Sequence, residues 1–258
     1  MSSTHPDHQP EVSATILVPA DRNGPPRSGN GGWSAGLLAE VVAEAAAAAD
    51  LTAPVEVSLR RPPPLDEPMR VTEDAGTWTA LAADGGTVLE ARVADEEPEA
   101  LPFPGVEAAL AGAEHFLART TPHPFPTCFV CGDARPDGMR VFPGPVPDGD
   151  GTVAAIWDAG EQVLGGAGRA TAYPAGWAAL DCVGAWALDF GERVMVLART
   201  TARLARRPEP GRHVVSAVPV SRDGRKHRAR TTLHTEDGML VGAAEQLWIE
   251  IDPKNVGA

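Results

Sequence analysis

The chain has 258 residues, 43% of them hydrophobic, enough for a sizeable core and too apolar for a disordered protein. A formal net charge of −13 argues against a general nucleic-acid binder, and no apolar run approaches the roughly 20 residues that span a bilayer, so neither nucleic acid nor membrane is expected as a partner. Three cysteines are too few and too oddly counted for a disulfide framework, which makes a reduced, cytoplasmic protein the expectation.

The N-terminal stretch "MSSTHPDHQP" has no basic start and no apolar region, and residues 1–10 read as a tail rather than a secretory signal. "VSATILVPA" (12–20) follows as a strand, then "GNGGWSAGLLAEVVAEAAAAADL" (29–51) as a helix apolar on most faces. An alternating stretch at 55–71 and a strand pair at 77–95 around "DGG" complete a first unit; the turn needs positive φ, which Gly supplies. Residues 96–126 are rich in Pro and Ala, with a short helix expected at 105–118, and read as a linker. The pattern then begins again: a strand at 152–159, an apolar helix at 172–191, alternation at 198–215, and a strand pair at 228–251 around "EDG".

The recurrence has a measurable offset. Trp33 and Trp177 lie 144 residues apart, Met69-Arg70-Val71 matches Arg212-His213-Val214 at 143, and Val88 matches Leu240 at 152. The growth in offset fits a longer hairpin around "SRDGRK" in the second copy. One long helix wrapped by one antiparallel sheet, duplicated, predicts an α+β double hotdog, with units at 11–95 and 127–258.

Charge is unevenly placed. Residues 1–120 carry seven Lys and Arg against nineteen Asp and Glu, whereas residues 199–230 hold ten basic groups against Glu209 and Asp223. Arginines such as Arg206 and Arg207 in that stretch suit phosphate recognition. Glu40 and Glu44, one helical turn apart, read either as a solvated stripe or as the remnant of a site in the first unit. Cys128-x2-Cys131, with His123 nearby, has the spacing of half a zinc site; four ligands are needed and the remaining Cys182 falls in a helix, so no metal is expected. No G-x-S-x-G nucleophile elbow, P-loop or dinucleotide fingerprint occurs, and no cofactor is expected.

At these residues the chain resembles acyl-CoA thioesterases of the hotdog superfamily, particularly the double-hotdog thioesterase II group. "DGMLVGAAEQ" (237–246) is similar to that group's last hairpin, and the resemblance implies that Gln246 orients an attacking water. It also implies an Asp early in the second helix, which Asp181 in "GWAALDC" fits, and a Thr or Ser on the next strand. Thr200 is the nearest match to the latter, although strict register puts Ala198 there. "NGGW" (30–33) resembles the "HGG" helix start of single-hotdog thioesterases, with Asn30 in place of His, and "CFVCGDARPDGMRV" (128–141) a segment common in actinobacterial hotdog proteins.

Thioester hydrolysis asks for a carboxylate and for N–H donors at the oxyanion. Asp181 is the candidate base, and the small residues Gly31-Gly32 and Ala175-Gly176 stand where helix N–H groups would meet a carbonyl. The expected activity is hydrolysis of an acyl-CoA or acyl-carrier thioester; the alternative is a hotdog protein that binds such a thioester without cleaving it. The reading admits a homodimer of double-hotdog units. A dehydratase would want a His near the central helix, and none of the seven His lies in either of the two long apolar helices expected at 29–51 and 172–191.

Overall fold

A computed structural model describes residues 12–46, 53–147, 149–252 and 254. The expected tail at 1–10 and the end of the first helix beyond residue 46 lie outside the described residues. In chain order the elements are β1 (Val12–Ile16), α1 (Gly31–Ala46), β2 (Val55–Leu59), β3 (Met69–Asp74), β4 (Thr77–Leu81), β5 (Thr87–Val93), α2 (Val106–Ala118), β6 (Gly144–Pro145), β7 (Val153–Ala159), α3 (Glu161–Leu164), α4 (Ala172–Ala187), β8 (Met195–Leu204), β9 (Gly211–Asp223), β10 (Lys226–Thr235) and β11 (Leu240–Glu250).

The strands form one antiparallel sheet in the order β1-β3-β4-β5-β2-β8-β11-β10-β9-β7-β6. From the β2·β8 seam outward, the two halves run through their own strands in the same relative order, with β6 added at one edge. The architecture is α+β, with α1 and α4 packed against each other and against this sheet. Each expected alternating stretch proves to be two strands with a loop between. The 55–71 stretch divides into β2 and β3, and 198–215 into β8 and the start of β9.

The two central helices approach closely because glycines line their contact. A Cβ on Gly32 would stand 2.5 Å from Asp181 Cβ and 2.6 Å from the Trp177 carbonyl oxygen, and one on Gly36 would stand 2.7 Å from Pro174 Cα. The pairs Gly32 with Asp181 and Gly36 with Pro174 and Trp177 set the helices antiparallel. Helix α4 is apolar on every face and buried from Ala172 to Ala185, as expected of a helix enclosed by a sheet and a second helix. Pro174 is tolerated because it occupies the first turn, where no intrahelical N–H bond is required. The helix therefore starts ahead of Ala175-Gly176, and Asp181 lies at its middle rather than one turn in.

The segment expected as a linker makes contacts of its own with the sheet. Glu97 and Glu99 pair with Arg203 and Arg230 on the outer face of the sheet, and the Leu101 N–H donates to Thr232 Oγ1 at 2.8 Å. Helix α2 then packs on β6 and β7, where a Cβ on Gly112 would stand 2.4 Å from the Ala154 carbonyl oxygen. From Arg119 to Phe142 the chain is irregular, held by Phe129, which donates its N–H to Asn23 at 2.7 Å and sets its ring edge-on to Trp33.

Candidate active site

Asn30 is the residue before α1, and it caps the helix: its Oδ1 accepts from the Trp33 N–H at 2.8 Å. This bond orients the amide so that Nδ2 points away from the helix, where it donates to Asp181 Oδ2 at 2.9 Å. The Gly32 N–H donates to the same oxygen at 2.9 Å. One helix thus presents its positive end, one amide and one backbone N–H to a carboxylate at the middle of the other.

Asp181 is 2% exposed, and its second oxygen, Oδ1, has no hydrogen-bond partner. Burial pushes its pKa up from the ordinary carboxylate range to about 7, against the opposing pull of the Gly32 N–H. The carboxylate lines a cavity of about 660 Å³ whose wall is predominantly apolar, including Phe125, Phe190, Met195, Leu197 and Trp248. Gly31 also lines it, and as the first helical residue its N–H has no intrahelical partner. Four exposed arginines, Arg27, Arg60, Arg61 and Arg225, stand at the same cavity.

Gln246 faces inward, 3% exposed, while its neighbour Glu245 faces solvent and pairs with Arg230 at 3.3 Å. Both ends of its amide have a protein partner: Nε2 donates to the Leu180 carbonyl at 2.8 Å, and Oε1 accepts from Trp248 Nε1 at 2.9 Å. It fills the space above Gly184, where a Cβ would meet Oε1 at 1.8 Å. Gln246 therefore braces the turn of α4 that carries Asp181 and does not line the cavity. Thr200, 3% exposed, lies beside it across β8 and β11 and also stays out of the cavity lining. Ala198 does line the cavity. The ladder explains the difference: Leu247 pairs with Arg199 but Trp248 with Leu197, so Ala198 is the extra residue of a β-bulge.

Other expected site residues are placed elsewhere. Gly176 packs under Leu204 and Pro208, so the second helix N-terminus is not brought to the cavity. Arg207 pairs with Glu40 at 2.7 Å and lies over the Tyr173 ring, and Arg206 reaches Met239. Much of the basic 199–230 stretch is matched to carboxylates: Arg199 to Glu56, Arg203 to Glu97, Arg212 to Asp158, Arg222 to Glu250 and Arg230 to Glu99. Arg206 and Arg207 do not line the cavity, whereas Arg27, Arg60, Arg61 and Arg225 do, Arg60 paired with Glu90 at 2.5 Å and Arg61 with Asp84 at 2.9 Å. The Arg60-Arg61 pair opens "RRPPP", which counterparts "RRPEP" around Arg206-Arg207 in the second unit, so the internal repeat carried a signal for it. Glu40 is half-buried in its ion pair rather than part of a solvated stripe, and burial raises its pKa. Cys128, Cys131 and Cys182 come together at the cavity wall beside Asp181, with ligand atoms within 4.8 Å of one another.

No protein-family model matches the sequence, and no curated protein matches it. Solved structures do. A Thermobifida fusca protein solved as a candidate thioesterase II superposes with a TM-score of 0.60 at 18% identity, over 92% of both chains. A protein of unknown function with a hot dog fold from Alicyclobacillus acidocaldarius gives 0.54 at 14% identity over 93% of both. The dehydratase domain of RzxB from Pseudomonas fluorescens gives 0.57 at 14% over 92% of both. The likeness is one of fold and runs through nearly the whole chain: this is a hotdog-fold protein.

Proposed function

We propose that the chain is a duplicated hotdog acting as an acyl-CoA thioesterase, with Asp181 as the carboxylate that activates water. The observation that carries this reading is the unpaired Oδ1 of a buried Asp181 at the wall of a deep apolar cavity, its other oxygen held by Asn30 and Gly32. The acyl chain would occupy the cavity, and the exposed arginines at it would meet the phosphates of CoA. The Gly31 N–H, at the positive end of α1, would receive the developing oxyanion. Asp181 would take the proton of water as the oxygen attacks the carbonyl carbon. The C–S bond then breaks and the proton passes to the departing thiolate. Gln246 acts on this site by fixing the α4 turn through Leu180. The sheet order, mirrored about β2·β8, supports the duplication.

Hydrolysis of a panel of acyl-CoAs tests the reading. Asp181→Asn is expected to lower kcat by about 10²–10⁴-fold with the fold intact. A variant as fast as wild type on every substrate would remove Asp181 as base. Three observations favour a second reading, binding without cleavage: Gln246 does not line the cavity and bonds Leu180 and Trp248, Thr200 does not line the cavity, and Ala198 brings no hydroxyl there. Affinity for acyl-CoA with no turnover on any member of the panel would select it. Dehydration is disfavoured, because no histidine lines the cavity among the described residues.

A further inference from the structure

Beside Asp181, the cavity wall carries a feature that hydrolysis does not use. Cys128 and Cys131 come from the irregular segment before β6, and Cys182 from the middle of α4. All three are buried and none is in a disulfide. Their sulfur atoms lie within 4.8 Å of one another, and Cys128 Sγ is 3.7 Å from Cys182 Sγ. Thiolates bound tetrahedrally to zinc at about 2.3 Å stand about 3.8 Å apart, so the Cys128–Cys182 edge already has the length that such a cation requires, and Cys131 lies within 4.8 Å of both. We propose that Cys128, Cys131 and Cys182 form a three-thiolate site for a zinc-type divalent cation, its fourth position facing the cavity.

The local backbone supports the assignment. The Gly132 N–H closes the turn on the Cys128 carbonyl at 2.9 Å, and a Cβ on Gly132 would stand 2.5 Å from that oxygen. The loop is anchored on both sides: Phe129 donates to Asn23, Met139 to Phe129 and Val141 to Val130. Asn30 Nδ2 lies 3.7 Å from Cys182 Sγ and supplies a further donor to a thiolate there. A disulfide between Cys128 and Cys182 would use two of the three sulfurs and leave Cys131 unexplained. Binding the cation displaces the thiol protons to solvent and changes no oxidation state. All three cysteines line the cavity, so the fourth ligand would be a water or a donor atom of whatever enters.

The site stands apart from the hydrolytic reading, because its test reads metal and not turnover. Full-length protein purified under reducing conditions without chelator is analysed for zinc, then stripped and reloaded with Co²⁺. About one zinc per chain is expected, together with the sulfur-to-cobalt charge-transfer and tetrahedral d–d bands of a thiolate site. Cys131→Ser and Cys182→Ser should each lose the zinc and weaken the charge-transfer band while circular dichroism shows them folded. Should either variant fail to fold, the cobalt spectrum of the wild type still decides. A reduced, folded wild type with neither zinc nor cobalt bands would overturn the site. So would serine variants that keep the full metal complement, or a native Cys128–Cys182 disulfide in metal-free protein.

Discussion

The two ends of the central helix pair are built alike and furnished differently. Aligned on Trp33 and Trp177, α1 and α4 place Leu37 where Asp181 stands and Gly176 where Gly32 stands. At one end the Asn30 cap, the Gly32 N–H and the Asp181 carboxylate meet beside a cavity. At the other, Gly176 is covered by Leu204 and Pro208, and nearby Arg207 is held between Glu40 and Tyr173. Each helix has an N-terminus, but Asp181 of α4 accepts from the start of α1, while Leu37 stands at the corresponding position of α1. On the proposed reading the site draws on both helices: α1 gives the positive helix end, and α4 the carboxylate it holds.

Substitutions that treat the two ends alike should have unequal effects. Gly32→Ala is expected to be the most damaging, because the new Cβ meets the Trp177 carbonyl and the Asp181 Cβ, which cannot turn aside. A loss of about 1–3 kcal/mol in denaturant unfolding is expected, with hydrolysis lost alongside. Gly176→Ala meets the flexible end of Leu204 at 2.9 Å and the Pro208 ring, which can yield only by changing pucker, at 3.0 Å; the helical preference of Ala offsets much of the strain, so unfolding should shift by less than about 1 kcal/mol. Asn30→Ala comes next: it removes a helix cap worth about 1 kcal/mol and one of the two donors to Asp181, so stability and kcat should fall together. Smallest is the contrast among arginines. Arg60→Ala, Arg61→Ala or Arg225→Ala should raise KM for acyl-CoA several-fold at low salt and leave kcat unchanged, with the difference fading as salt is added. Arg206→Ala, far from the cavity lining, should change neither.

Much of this was legible in the sequence, because periodicity and repetition are local signals. The alternation around Gln246 predicts that one of the adjacent Glu245 and Gln246 faces inward, and Gln246 does. What Gln246 touches was not legible: its partners, Leu180 and Trp248, satisfy the amide without any substrate. Thr200 and Ala198 could not be separated in advance, since a one-residue bulge moves the reading of the strand and leaves no mark in composition. The arginine run is real, but its electrostatics depend on Glu56, Glu97 and Glu99, which the seam and the linker bring to it from far along the chain. Likewise, Asn30 and Asp181 are 151 residues apart and meet only because two glycines let the helices touch. Cys182, in a helix, is set aside as a ligand on the sequence; the packing of that helix brings its sulfur to 3.7 Å from that of Cys128.

The central claim is that the helix pair has one working end. It is tested most directly by kcat for acyl-CoA hydrolysis in two matched variants, Asp181→Asn at the cavity end and Glu40→Gln at the filled end. The account predicts a fall of about 10²-fold or more for Asp181→Asn and a wild-type rate for Glu40→Gln. Equal rates in the two variants, or a larger loss in Glu40→Gln, would contradict it.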